Sequence, residues 1–504
     1  MPKDWSQQQR AIFSWFKAGD GNLVVRARAG TGKTTTIVEG VTYAPERKIL
    51  LAAFNKKIAV ELDARLTHPG AEAKTLHSVG FGFVRNAWGK VGLDTKGKRA
   101  LGIAKRVHRG APDAPLKDAV KLAAVLKATA PMIGSGAEVE PEELGLAMDT
   151  AANFDIQTDE KWEEKGYDET WLAGTAIEIL RVGCELKDGT IDFDDMIWLP
   201  VRNGWIRPRY DLVVIDEAQD MNRSQIDLAM GVCRKNGRIA VVGDDKQAIY
   251  GFRGADSSSL DRLLHSLKAK ELGLTTTYRC GKNIVREAKR LVLDFKAYEG
   301  NCAGKVAKAN IGMALDRAEP GDFILSRTNA PLVSACLKLL RDGKRANIEG
   351  RDVGAGLKGI VRKVDRIAPG DFEGFCAALE RWYEREIAKA ELRGEKGLPT
   401  IERVSDQYET LCSLMDGLDS ADAIISRIEM LFEDTKDNDG RKIILSSVHR
   451  SKGLEADRVW LLEDTFFSRR KKPPQWASAD EEENIEYVAI TRAKELLTWV
   501  EGTL

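Results

Sequence analysis

Short runs of apolar residues, each bounded by glycine, aspartate or a turn, punctuate the chain at Leu23–Val25, Ile49–Ala53, Leu212–Ile215 and Ile239–Val242. Segments with helical spacing of apolar positions separate them. A run that is apolar at every position has no side left for solvent, so these runs predict strands buried on both faces, as in a parallel sheet covered by helices. The same grammar returns at Phe323–Leu325, Ile443–Ser446, Val459–Leu462 and Leu496–Val500. The expected fold class is α/β, with two parallel-sheet domains.

Between the sheet segments the pattern changes. Residues 86–190 read as mainly helical, with a Pro/Gly/Glu-rich break at Pro131–Gly145. Residues 352–440 read as helical and highly charged, closing on the turn-like Glu433-Asp-Thr-Lys-Asp-Asn-Asp-Gly440. Each stretch is flanked by pieces of a sheet domain and so reads as an insertion. The expected division is 1–85 and 191–275 for the first sheet domain around the insertion 86–190, and 276–351 and 441–504 for the second around 352–440. A length of 504 residues agrees with several domains of about 100–200 residues each.

Lys plus Arg and Asp plus Glu both number 77, so no global basic field announces a nucleic-acid partner and any such binding must come from local patches. Two candidate patches are Lys96, Lys98, Arg99, Lys105, Arg106 and Arg109, and Arg469-Arg-Lys-Lys472 before Pro473-Pro474. The seven cysteines are scattered without a C-x-x-C pair, which argues against a disulfide framework or a zinc site and suits a reducing cytoplasm. No apolar h-region opens the chain and no run approaches the roughly 18 apolar residues of a membrane span, so a soluble protein with no membrane partner is expected.

Two segments carry the chemistry. Ala27-Arg-Ala-Gly-Thr-Gly-Lys-Thr34 follows the apolar run Leu23–Val25 and is read as a glycine-rich turn that opens a helix. Such a turn aims backbone N–H groups and the helix dipole at phosphates, with Ala29, Gly30, Thr31 and Gly32 as the cradle, Lys33 on the β/γ-phosphates and Thr34 on Mg²⁺. Ala27 breaks the strict G-x-x-x-x-G-K-[ST] pattern at its first position. Val213-Val-Ile-Asp-Glu-Ala-Gln-Asp220 supplies two carboxylates at a strand end. One of Asp216 and Glu217 would steady the metal's water shell and the other orient the attacking water. Together the segments predict an ATPase with ATP and Mg²⁺ as its ligands.

Further segments, met in order from Gln9 to Lys494, resemble the superfamily 1 helicases of the UvrD/Rep/PcrA type. Trp5-Ser-Gln-Gln-Gln-Arg10 resembles the family's adenine-reading motif, with Gln9 the best-aligned glutamine. Ala52-Ala-Phe-Asn-Lys-Lys57, Thr75-Leu-His-Ser78 and Ile191-Asp-Phe-Asp-Asp-Met196 resemble signatures that present Phe54, Asn55 and His77 to a nucleic-acid strand. In Val241-Val-Gly-Asp-Asp-Lys-Gln-Ala-Ile-Tyr-Gly-Phe-Arg-Gly-Ala255 the resemblance gives Gln247 the γ-phosphate or attacking water, Phe252 a base stack, and Tyr250 and Arg253 neighbouring DNA contacts. An aromatic–base stack is worth about 1–3 kcal/mol. One base-pair step averages roughly 1.4 kcal/mol, so a single aromatic platform grips without trapping.

By the same resemblance Thr275-Thr-Thr-Tyr-Arg-Cys-Gly-Lys282 and Tyr487-Val-Ala-Ile-Thr-Arg-Ala-Lys494 give Tyr278 an adenine stack and make Arg279 and Arg492 the arginines that neutralise the transferring phosphoryl group. Where many relatives carry an arginine this chain has Thr35, which leaves the adenine sandwich one-sided. Ile443-Ile-Leu-Ser-Ser-Val-His-Arg-Ser-Lys-Gly-Leu-Glu455 implies His449 and Ser451 on the DNA backbone and Glu455 on the ribose, and Ser326-Arg-Thr-Asn329 implies Arg327 and Asn329 on DNA.

The resemblance implies two RecA-like P-loop motor domains, each with a mainly helical insertion, the second one short for the family. It implies an ATP-dependent 3′-to-5′ helicase or translocase on single-stranded DNA and single-strand/duplex junctions. Such a protein would work as a monomer or weak oligomer, with room for a loading partner, in the cytoplasm, on the nucleoid or as a phage product. A translocase that strips proteins with little unwinding, a nucleotide-gated DNA-binding factor without directed movement, and an RNA substrate stay open as alternatives.

Overall fold

A computed structural model describes residues 5–53, 55–136, 138–154, 156, 158, 160–249, 259–392, 394–433, 442–470 and 478–502. The chain divides into two compact units, Met1–Ala27 with Gly32–Leu274, and Arg28–Thr31 with Thr275–Leu504.

In the first unit six strands form one parallel sheet: β1 Leu23–Ala27, β2 Ile49–Ala53, β3 Ala71–Thr75, β4 Tyr210–Ile215, β5 Cys233–Gly243 and β6 Lys270–Leu274, in the order β3-β2-β4-β5-β1-β6. Successive side chains of a strand point to opposite faces. Leu23, Val25, Leu51, Val214 and Val242 accordingly join one core, with Ile12, Phe16 and Ile37, while Val24, Leu50, Val213, Ile215 and Val241 join the other, with Val79, Phe83 and Leu228. This is the expected sheet, apolar on both sides.

The first insertion is a helical layer built from Lys98–Val107, Asp113–Thr129, Pro141–Asn153 and Glu169–Glu185 around Ile103, Leu116, Leu122, Leu172 and Leu180. The break expected over Pro131–Gly145 ends earlier, at Glu140. Pro141 opens a helix, because a proline in the first turn forfeits no backbone hydrogen bond, and Glu140 and Glu143 close a capping box.

The second unit holds seven strands in one parallel sheet: β7 Lys305–Asn310, β8 Phe323–Ser326, β9 Ala346–Glu349, β10 Phe432–Glu433, β11 Ile443–Ser447, β12 Ala456–Leu462 and β13 Ala493–Glu501, in the order β7-β13-β12-β8-β11-β9-β10. Its insertion comprises helices Arg351–Asp365, Phe372–Glu391, Leu398–Met415 and Ala421–Leu431. Leu357, Phe375, Leu411 and Ile424 of these helices share one core with Ile324, Ile348 and Leu445 of the sheet. Among the described residues no helix is long and apolar enough to cross a membrane.

Candidate active site

In the first unit, the predicted chemistry gathers at the carboxyl ends of the parallel strands, where an open α/β sheet places its ligands. β1 runs into the glycine-rich loop, and helix Lys33–Val41 starts immediately after Gly32, which takes φ 76° in the left-handed region. Only glycine enters that region without strain, so the turn is possible here because Gly32 stands at the helix start. β4 delivers Asp216 and Glu217, and β5 delivers Asp244. Glu217 itself is held at φ 52°, a conformation rare for a side-chain-bearing residue and one that clusters at functional sites.

These groups touch. Lys33 Nζ lies 2.9 Å from Glu217 Oε2. Burial opposes the lysine's charge, but Glu217, Asp216 and Asp244 outweigh it and raise its pKa. Burial and the adjoining Glu217 carboxylate push Asp216 upward against the pull of Lys33, and the Thr34 hydroxyl is hydrogen-bonded to it. Thr34 and Asp216 therefore bring a hydroxyl and a carboxylate oxygen together, the hard donors that suit Mg²⁺ beside phosphate and water. Among the described residues no group of three or more His, Cys, Asp or Glu could hold a metal ion, so the metal expectation rests on this pair.

One residue that sequence reasoning did not single out ties the site together. Gln219, fully buried, donates to Glu217 Oε2 at 2.6 Å and accepts from Asp244 N at 3.1 Å. Asp244 Oδ2 in turn accepts from Gln247 Nε2 at 2.6 Å. The signal was available: a glutamine two residues beyond a strand-end carboxylate, in a short 3₁₀ turn, can reach back to it. Gln9 also reaches inward. It closes a capping box with Ser6 and donates to Thr36 Oγ1 at 3.0 Å, and Thr36 Oγ1 donates to Gly32 O at 2.9 Å. Thr35 accepts from Arg65 at 3.2 Å, so a guanidinium from helix Lys56–Arg65 meets the residue that follows Thr34.

Asn55 caps that helix by accepting from Ile58 N at 2.9 Å. His77 lies after β3 with its ring 4.2 Å from that of Phe193, and burial lowers its pKa to about 4. Phe193 is a second residue outside the predicted set, although it sits inside a segment recognised from sequence. Phe54, Tyr250, Phe252 and Arg253 lie outside the described residues. Of the basic patches, Arg99 is not a solvated cation: it is buried against Asp188 and Asp195. Arg469 contacts Glu287, Glu463 and Glu486, and Lys471 and Lys472 lie outside the described residues.

In the second unit Tyr278 N donates to Gly30 O at 2.8 Å and Ala29 N to Tyr487 Oη at 3.0 Å, while Thr31 Oγ1 donates to Arg28 O. Arg279 Nε is 2.6 Å from Glu455 Oε2, and Glu455 Oε1 is 3.0 Å from Lys494 Nζ. Arg492 is buried, donating to Val488 O and Leu454 O at 3.0 Å each. Burial and the neighbouring Arg279 bring its pKa down to about 10, which leaves it charged at neutral pH. Tyr278 keeps an exposed face beside the Tyr298 ring.

The remaining predicted contacts have other neighbours. Arg327 is clasped by Glu402 at 2.7 Å and Glu482 at 2.8 Å, and Asn329 Nδ2 donates to Asp406 Oδ2 at 2.7 Å. Ser451 is buried, its hydroxyl donating to Val448 O, and His449 is half-buried in the same short helix.

Residues 5–268 match the UvrD/REP helicase N-terminal domain, and residues 369–501 match the UvrD-like helicase C-terminal domain. The chain belongs to the UvrD/REP helicase family. It is 26% identical to F-box DNA helicase protein 1 of Schizosaccharomyces pombe over 98% of its own length and 57% of that protein. It is 23% identical to the ATP-dependent DNA helicase PcrA of Bacillus subtilis over 97% of its length and 81% of the relative's. With the ATP-dependent DNA helicase Rep of Escherichia coli the identity is 26% over 54% of this chain and 41% of Rep. This UvrD/REP chain thus spans little more than half of the first of these relatives.

Proposed function

We propose that the chain hydrolyses ATP to move 3′-to-5′ along single-stranded DNA and to open duplex at single-strand/duplex junctions. The observation that carries this reading is the continuous polar relay Lys33–Glu217–Gln219–Asp244–Gln247. It runs from the phosphate cradle to the start of the segment that holds Tyr250, Phe252 and Arg253. In this proposal a change at the nucleotide reaches, through these hydrogen bonds, the start of the segment proposed to grip the strand.

In this reading γ-phosphate replaces Glu217 as the partner of Lys33, and Glu217, released, orients the attacking water and accepts its proton. Thr34 and Asp216 hold Mg²⁺, which supplies charge neutralisation at the phosphates. Arg279 and Arg492 neutralise the transferring phosphoryl group, a role worth about 10³–10⁵ in rate. Gln9 reads the base, with Tyr278 stacking on it and Glu455 near the ribose. Asn55, His77 and Phe193 meet the DNA strand on the first unit, and His449 is the corresponding proposal on the second.

The experiment is a comparison of ATP turnover with and without single-stranded DNA, run beside strand displacement on duplexes with 3′ or 5′ tails. Turnover raised by the single strand, with displacement confined to the 3′ tail, is expected. Turnover indifferent to the strand would overturn the proposal. Stimulated turnover without displacement would point to the protein-stripping translocase.

A further inference from the structure

Phe193 stands at the lip of the first unit, 55% exposed, between Asp192 and the start of helix Asp195–Arg202. Behind it lies a cavity of about 330 Å³ lined by Leu93, Val120, Ala123, Ile179 and Lys127 among others. Beside this cavity the ring packs against that of His77, 4.2 Å away.

Ions fix the backbone on either side of it. Asp192 and Asp195, on either side of the tip, cross-link it: Asp192 N donates to Asp195 Oδ2 at 3.0 Å and Asp195 N to Asp192 Oδ1 at 2.8 Å. Lys127 Nζ, from helix Asp113–Thr129 of the insertion, meets both carboxylates, Asp192 at 2.6 Å and Asp195 at 2.7 Å. Arg99, from helix Lys98–Val107, backs Asp195 at 3.0 Å and Asp188 at 3.2 Å and donates to Gly183 O and Leu186 O. Arg99, Lys127 and Asp195 are all buried. Buried ion clusters add little stability over apolar packing of the same volume, so stability alone does not account for this one.

We infer that Lys127, with Arg99 behind it, is a positioning residue that holds Phe193 at the angle where its ring takes a base of the strand, so that the helical insertion sets the grip of the sheet domain on DNA. The inference rests on the DNA reading above and extends it to residues that touch neither nucleotide nor strand.

The test is a double-mutant cycle on the full chain, read as affinity for a fluorescent oligothymidylate. Phe193→Ala should weaken binding about 5- to 150-fold, the worth of one aromatic–base stack. Lys127→Met should reproduce most of that loss, and Lys127→Arg should restore it. In the Phe193→Ala background Lys127→Met should have no further effect. DNA-free ATP turnover of Lys127→Met should equal that of the unaltered chain. Because Lys127→Met leaves buried carboxylates short of a partner, Lys127→Met with Asp192→Asn serves as the charge-balanced variant and should show the same loss. Equal losses from Lys127→Met with and without the Phe193 ring would overturn the inference, as would full affinity in the charge-balanced variant. If the unaltered chain ignores the oligonucleotide, or Phe193→Ala binds it normally, the DNA reading of this tip fails and the inference falls with it.

Discussion

Two loops leave interior parallel strands, one in each unit, and carry their cations to opposite fates. After β1, Lys33 has Glu217 as its ion-pair partner, and the two side chains are 11% and 32% exposed. After β8, Arg327 sits between Glu402 and Glu482, with Asp406 on the neighbouring Asn329. The strand geometry is common to both: a buried parallel strand ends, and a basic side chain follows. The difference lies in what packs next. At the first loop, left-handed glycine geometry and the N-terminus of a helix leave the cation one direct ion-pair partner, Glu217, with Asp216 and Asp244 nearby, where the proposed function puts phosphate. At the second, helix Leu398–Met415 of the insertion brings two more carboxylates into a core that it shares with the sheet. A parallel sheet supplies the place; the loop's next neighbours decide between a ligand site and a structural joint.

The sharpest way to break this comparison is at Glu217. Glu217→Gln removes the carboxylate proposed to orient the attacking water and should lower turnover by about 10²–10⁴-fold, the usual worth of a positioned general base. Because the same substitution frees Lys33 from its competitor, nucleotide affinity should hold or tighten. Phosphate release and titration with a fluorescent nucleotide separate the two effects, and turnover within tenfold of the unaltered chain would remove Glu217 from the chemistry.

At the other loop the expected loss is of stability. Arg327→Met strands Glu402 and Glu482 in a buried site, a change that typically costs about 3–5 kcal/mol, visible as a lower denaturant midpoint for the second unit. If Arg327 is instead a phosphate contact, as the resemblance implied, the variant should stay stable and lose about one unit of salt slope in DNA binding. The two outcomes are mutually exclusive in sign and separable in one preparation.

The same contrast explains what the sequence made legible. All eight apolar runs are strands, because interior strands are buried on both faces and must be apolar throughout. Ala71–Thr75, Lys270–Leu274, Lys305–Asn310 and Phe432–Glu433 escaped notice because they are sheet edges. An edge strand is paired on one side only and tolerates alternating lysine and glutamate, so its pattern resembles a loop. Ala346–Glu349, next to an edge, forms no run because Asn347 and Glu349 interrupt its apolar positions. The grouping of Lys33, Asp216, Glu217 and Gln247 in space was legible, because each follows a strand end or opens a helix at the same edge of the sheet. Gln219 left a local signal, two residues past Glu217, whereas Arg65 and Lys127 left none, since each acts on a group far from it in sequence. Arg99 misled for the converse reason: a basic residue in a charged stretch looks solvated until its carboxylate partners, supplied from elsewhere in the chain, are known.

The smallest effect sharpens the comparison through pH. Burial lifts Glu402 to about 7 even with Arg327 drawing it down, and Glu482, Asp406 and Glu481 add to the lift. A glutamate in the unfolded chain titrates near 4.5, so between that value and 7 the folded state binds a proton that the unfolded state has lost. Stability of the second unit should therefore fall as pH rises through this window, with the penalty complete above it and absent below it. Glu402→Gln keeps the shape and removes the titration while Glu482 still pairs with Arg327. It should flatten the slope and raise stability at alkaline pH by on the order of 1 kcal/mol, allowing for the partial solvation of the carboxylate. A variant whose denaturation midpoint tracks pH as the unaltered chain does would mean that Glu402 is ionised throughout. In that case the second loop would hold its arginine by an ordinary, exchangeable ion pair, and the distinction between the two loops would rest on the glycines alone.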